Sequence, residues 1–182
     1  SGPTMQASQA NIEQAFLGIG SNVGERLHYV RDAIFGLSKV SGITLVRFSN
    51  VYETEPVGDV VQNEFLNAVV EVNTSLELTV FYNEIKKLER AIGRQPHERW
   101  GPREIDIDIL LYGVHTVSNK LLTVPHTELH KRNFVLSPLA ELAPTVVHPV
   151  LHQTIQTLLK TCDDRHAVRC SQELTKQLYT LL

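Results

Sequence analysis

The feature that most constrains the fold is a short segment, residues 105–111, in which the side chains alternate in their expected exposure. A period of two residues predicts a β-strand, because successive side chains of a strand point to opposite faces of the sheet. The face expected to be buried carries Ile105, Ile107, Ile109 and Leu111. The opposite face carries Asp106, Asp108 and Leu110. The segment therefore predicts a strand that presents two carboxylates side by side.

Two adjacent carboxylates, Asp106 and Asp108, repel each other unless a cation lies between them. Mg²⁺ binds one or two carboxylates together with phosphate oxygens of a substrate. Arg99 and Arg103 stand just before the strand, around the turn that begins at Trp100, and guanidinium groups bind phosphate well. An ordinary solvated strand face is the alternative for an isolated Asp-x-Asp. The neighbouring arginines, tryptophan and Gly-Pro turn favour a site for a magnesium nucleotide.

Length and composition indicate one domain with a real hydrophobic core, since the chain has 182 residues of which 42% are hydrophobic. A net charge of −3 gives no general attraction to nucleic acid or to an anionic membrane. The two cysteines, Cys162 and Cys170, are too few for a disulfide scaffold. With no membrane-spanning run and no secretory signal, we expect a cytoplasmic protein. Residues 1–13 are interpreted as a cloning scar or disordered lead-in, and residues 14–182 as the domain.

The order of the remaining elements predicts the topology. Strands are expected at residues 15–19, 43–52, 64–72 and 105–111. Helices are expected at residues 25–39, 76–92, 133–142 (interrupted by Pro138), 154–161 and 171–182. At the end of the first strand, Gly18 and Gly20 resemble a dinucleotide fingerprint but miss its spacing, so we expect a tight turn in which Ser21 or Asn22 caps the next helix. Strand-helix-strand repeated twice predicts an α+β protein with a ferredoxin-like split βαβ core, helices on one face of a mostly antiparallel sheet, and C-terminal helices.

In this arrangement the face opposite the helices carries Phe65 and Asn67 as well as the two carboxylates, so a ligand could lie across the sheet. Asn67 has both a donor and an acceptor, and two roles are about equally compatible with the pattern: pairing within the protein, or binding the amide edge of a heterocycle. Glu89 lies near a helix end that disfavours a negative charge, which indicates a partner. Residues 93–102 have the composition of a mobile flap or of a plain connecting loop.

Four separated motifs resemble one enzyme family, that of 6-hydroxymethyl-7,8-dihydropterin pyrophosphokinase in folate biosynthesis. The most specific motif is Arg99-x-Gly-Pro-Arg103-x-x-Asp106-Ile-Asp108-Ile-Leu. The others are Gly20-Ser21-Asn22-Val23-Gly24, Phe65-Leu66-Asn67-Ala68 and Thr123-Val124-Pro125-His126. The resemblance covers residues 15–161, so residues 162–182 form a C-terminal extension outside it. One departure is Glu55, which stands where a proline is common.

The resemblance implies that the diphosphoryl group of ATP is transferred to the hydroxymethyl group of the pterin, with release of AMP. It implies two Mg²⁺ ions held by Asp106 and Asp108, with Arg94 and Arg103 as further catalytic residues. The residues implied for the pterin are Thr54, Val57, Phe65, Asn67 and Phe134. The residues implied for ATP are Glu89, Arg99, Trp100, Ile109, His126 and Arg132. The arginines and His126 are expected to offset the charge that develops on the phosphates.

The sequence fits two other classes of protein less well. An RNA-binding ferredoxin-like module needs paired aromatic residues and a basic surface, whereas Phe65 is alone and the net charge is −3. A metal-dependent nuclease usually gathers more carboxylates than this one strand provides. We therefore expect a monomer that binds small-molecule substrates, with no nucleic-acid or membrane partner.

Overall fold

The computed structural model describes residues 11–58, 61–94 and 102–182. Within these ranges a six-stranded sheet has the order β5-β1-β4-β3-β8, with β2 also paired to β4, and every pairing is antiparallel. The strands are β1 (Glu13–Ser21), β2 (Ile43–Phe48), β3 (Val51–Thr54), β4 (Phe65–Thr74), β5 (Asp106–Tyr112), the small hairpin β6 (Val117–Ser118) and β7 (Thr123–Val124), and β8 (Val168–Ser171). The helices are α1 (Arg26–Lys39), α2 (Leu78–Ile92), α3 (Asn133–Leu142), α4 (Ile155–Thr161) and α5 (Gln172–Leu181). No helix in the described ranges is long and apolar enough to span a bilayer.

The predicted α+β, ferredoxin-like arrangement is confirmed. Helix α1 connects β1 to β2 and α2 connects β4 to β5, which leaves β1 and β4 at the centre of the sheet. The apolar stripe of each helix, repeated every three or four residues, packs on the alternate residues of the central strands. This first core contains Leu17, Ile19, Val30, Ile34, Leu37, Leu66, Val70, Phe81, Ile85 and Ile107.

The C-terminal helices add a second layer whose position the sequence did not indicate. Helices α3 and α4 cover one end of the opposite face, where they build a second core on the outward side chains of β1, β4 and β5. Its members include Phe16, Val69, Leu110, Leu136, Leu139, Ile155 and Leu158. The rest of this face is left open, and it is there that the polar residues of the strands lie.

A β-bulge in β5 overturns one predicted position. Phe16 pairs with Leu111 whereas Leu17 pairs with Ile109, so that Leu110 is an extra residue opposite β1. Such a bulge reverses the alternation of side chains beyond it. Leu111 therefore packs in the second core and not beside Ile109 as predicted.

Three element boundaries also differ from the prediction. Strand β1 runs from Glu13 to Ser21, so no tight turn forms at its glycines, and α1 starts without a side-chain cap from Ser21 or Asn22. The strand predicted at residues 43–52 is divided into β2 and β3. The break lies at Ser49, whose backbone N–H donates a hydrogen bond to the Val69 carbonyl. Helix α3 continues through Pro138, since the buried residues around the proline hold it in the second core.

The C-terminal residues of the described chain pack against the sheet and the first core. Ser171 caps α5 by accepting a hydrogen bond from the Leu174 N–H, and Leu178 is buried in the first core. The backbone N–H of Val51 donates to Thr175 Oγ1 at 2.9 Å, which ties β3 to α5. Strand β8 pairs with β3 and was not predicted from the sequence. The helices predicted at residues 154–161 and 171–182 are confirmed as α4 and α5.

Candidate active site

The open part of the sheet forms a cavity of about 350 Å³ whose floor is made by two glycines of β1. Gly20 pairs with Asp106 on one side and Asn67 on the other, and Gly18 pairs with Asp108 in the next row. Because neither glycine has a side chain, the floor is flat between the carboxylates and the amide. Two strand spacings separate Asp106 from Asn67, which corresponds to roughly 10 Å. A flat ligand with a polar edge at each end fits this geometry.

Most of the residues implied for the site line this cavity. They are Thr54, Val57, Phe65, Asn67, Arg103, Asp106, Asp108, His126, Arg132 and Phe134. A second cavity of about 260 Å³ is lined by Ile109 and shares Asp108 and His126 with the first, so a longer ligand can extend from one to the other. Arg94 and Glu89 line neither cavity. Arg99 and Trp100, with most of the predicted flap, lie outside the described residues.

The two carboxylates interact electrostatically as their position on one face of β5 predicts. Burial, reinforced by the charge of Asp106, raises the pKa of Asp108 to about 8. The charges of Lys86 and Arg94 oppose this effect, and Arg94 Nε lies 3.6 Å from Asp106 Oδ1. Because the two carboxylates repel each other, a cation between them binds favourably.

Glu89 supports β5 from behind the site. Its side chain is only 3% exposed, Oε2 accepts a hydrogen bond from the Ile107 N–H at 2.8 Å, and Oε1 lies 2.8 Å from Lys86 Nζ. Glu89 therefore holds the strand segment between the two aspartates. Lys86 lines the second cavity and is a residue that the sequence reasoning missed. The available signal was its position one turn before Glu89 on the same helix.

We expect Glu89→Ala to act mainly on stability. The substitution leaves the Ile107 N–H and the Lys86 ammonium without their buried partner, which costs about 3 kcal/mol of unfolding free energy. Denaturant unfolding measures this, with Glu84→Ala on the same helix as the control. An unchanged unfolding free energy together with a loss of nucleotide affinity would show instead that Glu89 contacts the nucleotide directly.

His126 is positioned to donate a hydrogen bond from its neutral ring. Burial lowers its pKa, although the charge of Asp106 opposes this. Its Nδ1 accepts a hydrogen bond from the Glu128 N–H at 3.1 Å, which leaves the proton of the neutral ring on Nε2. His126 would therefore bind a phosphate oxygen as a neutral donor.

Asn67 and Thr54 form one polar unit at the other end of the cavity. Asn67 Nδ2 donates to Thr54 Oγ1 at 2.5 Å, and both residues are buried. Of the two roles that the sequence left open, pairing within the protein is therefore present. The Asn67 amide also lines the cavity, so it is held in one orientation while it faces a ligand.

Asn22 has a positioning role in place of the predicted helix cap. Its backbone N–H donates to the carbonyl of Arg103 at 2.9 Å, and its Oδ1 accepts from the Arg103 N–H at 2.8 Å. Its Nδ2 donates to Gln62 Oε1 at 2.7 Å. One buried side chain thus fixes the backbone of Arg103 just before β5 and connects it to the segment that precedes β4.

Comparison with known proteins identifies a family model that matches residues 16–144, described as 7,8-dihydro-6-hydroxymethylpterin-pyrophosphokinase (HPPK). Two relatives are named 2-amino-4-hydroxy-6-hydroxymethyldihydropteridine pyrophosphokinase. The one from Aquifex aeolicus is 43% identical over 141 residues, which are 78% of this chain and 87% of the relative. The one from Haemophilus influenzae is 35% identical over 155 residues, which are 85% of this chain and 96% of the relative.

Solved structures show the same fold. A crystal structure of Plasmodium falciparum HPPK-DHPS with pteroate superposes with a TM-score of 0.67 at 16% identity over 85% of this chain. The match covers 44% of that protein, so this chain spans less than half of its length. At this identity the likeness shows the architecture alone.

Proposed function

Because this chain belongs to the 7,8-dihydro-6-hydroxymethylpterin-pyrophosphokinase family, we propose that it transfers the diphosphoryl group of ATP to the hydroxymethyl group of 6-hydroxymethyl-7,8-dihydropterin. The chain is a pyrophosphokinase of folate biosynthesis with ATP as its co-substrate. The observation that carries the proposed geometry is that one cavity has a carboxylate pair at one end and a fixed amide at the other.

The reaction would transfer the diphosphoryl group from ATP, bound at the carboxylate end of the cavity, to the pterin, bound at the amide end. The hydroxymethyl oxygen of the pterin attacks the β-phosphorus of ATP, and the bond from this phosphorus to the oxygen bridging the α-phosphorus breaks. AMP leaves with that oxygen, and the hydroxyl proton is released. Such transfers depend mainly on positioning and on neutralising charge, which the walls of the cavity would supply. Pterin diphosphate is the second product.

The pterin would lie over the glycine floor. Asn67, oriented by Thr54, would bind the amide edge of the heterocycle. Phe65 and Phe134 would pack on the ring, and Val57 would close the same wall. The flat floor and the aromatic residues fit a planar bicyclic ligand, since stacking and hydrogen bonds at one edge fix its orientation.

ATP would extend from the carboxylates towards the second cavity. Asp106 and Asp108 would hold two Mg²⁺ ions, which supply neutralisation of phosphate charge when bound. The described residues contain no group of three metal-ligating side chains, so phosphate and water would complete the coordination, as Mg²⁺ ordinarily requires. Arg94, Arg103 and His126 would bind phosphate oxygens. Ile109, Arg132, Arg99 and Trp100 remain predicted ATP contacts, the last two outside the described residues.

We also propose one domain from residue 14 to 182, since α5 completes the first core through Leu178. A monomer in the cytoplasm that acts on small molecules, without a nucleic-acid or membrane partner, remains our prediction. Sedimentation of the purified chain would test the monomer.

The test of the activity is chromatographic detection of AMP formed from ATP. We expect AMP only when Mg²⁺ and 6-hydroxymethyl-7,8-dihydropterin are both present. The matched control is 6-methyl-7,8-dihydropterin, which has the same ring but no hydroxyl to act as acceptor. Equal AMP formation with the control compound, or none with the substrate, would refute the proposed function.

We expect Gly20→Ala to weaken pterin binding. A β-carbon at Gly20 would lie 2.8 Å from Asn67 Oδ1, which is too close, so the amide would have to move. A loss of about tenfold in affinity is expected, since the shift disturbs one buried hydrogen-bonding group. Asn73→Ala, an exposed position on the neighbouring strand β4, is the control. Titration calorimetry that finds the pterin affinity of Gly20→Ala equal to that of the control would contradict the proposed position of the pterin.

A further inference from the structure

One short segment after α4, residues 164–169, contacts both walls of the proposed pterin cavity. We call it the clasp segment. It lies beyond residues 16–144, the part of the chain that the family model matches. Its backbone enters β8, the edge strand beside β3. The contacts that it makes on each side are specific and involve charged groups.

On one side the clasp segment holds the start of α3. Asp164 Oδ2 accepts a hydrogen bond from the Asn133 N–H at 3.0 Å, and Asn133 Nδ2 donates to the Asp164 carbonyl. Asp164 Oδ1 accepts from the His166 N–H at 3.1 Å and contacts the His166 ring. The Asp164 side chain is only 4% exposed. Asn133 stands between Arg132 and Phe134, so this contact fixes the wall on which the ring would stack.

On the other side the clasp segment holds the residues that follow β3. The Glu55 N–H donates to the Ala167 carbonyl at 3.0 Å, and Glu55 Oε2 accepts from the Ala167 N–H at 2.7 Å. Glu55 lines the cavity next to Thr54 and close to Val57. Both hydrogen bonds use Glu55 itself, one through its backbone N–H and one through its carboxylate.

A third contact extends this attachment to the start of β4. Arg169 Nη2 lies 2.6 Å from Glu64 Oε2 and 3.4 Å from Glu53 Oε2. Glu53 belongs to β3 and Glu64 directly precedes Phe65. Arg169 thus joins the two strands whose ends carry Thr54 and Phe65. Each surface ion pair is individually weak, so its contribution is to geometry more than to stability.

We propose that the clasp segment sets the distance between the two walls of the pterin cavity and so acts as a positioning element for pterin binding. The inference rests on the proposed function. Neither Asp164 nor Arg169 lines the cavity, so both act through other residues. Burial alone would raise the pKa of Asp164, but hydrogen bonds from Asn133 and His166 outweigh it and lower the pKa. The carboxylate is therefore charged at neutral pH and acts as an acceptor only.

The test compares Asp164→Ala with Asp163→Ala, which removes the same charge from an exposed neighbour. Calorimetry with Mg²⁺ and α,β-methylene-ATP measures first the nucleotide and then 6-hydroxymethyl-7,8-dihydropterin. We expect Asp164→Ala to weaken pterin binding about tenfold and to change nucleotide affinity less than about twofold, since the hydrogen bond from the Asn133 N–H to a buried carboxylate is lost on the pterin wall. Asp163→Ala should bind both ligands as the unchanged chain does. In turnover, KM for the pterin should rise while KM for ATP stays constant.

Arg169→Ala provides a second variant, because this side chain is 52% exposed and its loss leaves the folded core intact. We expect about a threefold weaker pterin affinity. Pterin affinity unchanged in both variants would overturn the proposal, and so would a parallel loss of both ligands in Asp164→Ala. Absence of pterin-dependent AMP formation by the unchanged chain is a separate result, which would refute the proposed function itself.

Discussion

Replacing Asp106 or Asp108 with Asn is expected to lower the turnover number at least ~10²-fold, the loss typical when one preorganised charge-stabilising group is removed. Both side chains line the cavity from the same face of β5, and the described residues contain no group of three or more metal-ligating side chains. An amide of the same shape keeps the packing but removes the charge that would hold Mg²⁺. Steady-state AMP formation at saturating substrates measures the effect.

The matched control for this prediction is Glu128→Gln, which changes another carboxylate that lines the same cavity. Glu128 lies 3.6 Å from Arg132 and is not on β5, so we expect its loss to reduce turnover only a few-fold. Unfolding midpoints of all three variants should remain close to that of the unchanged chain. Near-normal turnover in either aspartate variant would contradict the assignment of the metal ligands.

The second large effect is expected for Asn67→Ala, which should weaken pterin binding by about 10- to 100-fold and leave nucleotide binding unchanged. A buried hydrogen-bonding group that loses its partner costs about 1–3 kcal/mol, and here the pterin edge and Thr54 Oγ1 both lose the amide. Asn73→Ala on the same strand is the control, since that side chain is exposed. Calorimetry that finds unchanged pterin affinity would show that Asn67 serves the protein alone.

The structural features that depend on local periodicity could be predicted from the sequence. Alternation in residues 105–111 predicted β5 and placed Asp106 and Asp108 on one face, because strand geometry fixes which side chains are neighbours. The apolar stripes of α1 and α2 follow directly from the helical period. The order of these elements then restricts the topology to few possibilities.

Features that depend on contacts distant in sequence could not be predicted in this way. The bulge at Leu110 arises from the register between β5 and β1, which no single segment specifies. Asn22 is a residue type that is common at helix N-termini. Only in the folded chain does its side chain contact Arg103, which is 81 residues away. Glu89 remains a predicted nucleotide contact, and only the folded chain shows that its carboxylate also accepts a hydrogen bond from the backbone of β5.

The edge strand β8 could not be predicted from the sequence either. It has four residues and no buried alternation, so its pattern resembles a loop, and its strand geometry depends on pairing with β3. The contacts of the clasp segment, Asp164 with Asn133 and Ala167 with Glu55, could therefore not be predicted from the sequence.

Diphosphoryl transfer is measured most directly by mass spectrometry of the pterin product, combined with quantification of the nucleotide product in the same reaction. Transfer of the β,γ-diphosphoryl group predicts a pterin that carries two phosphoryl units and one equivalent of AMP, with neither product formed by the Asp106→Asn variant. A pterin monophosphate with ADP, or nucleotide turnover that is independent of the pterin, would contradict the account.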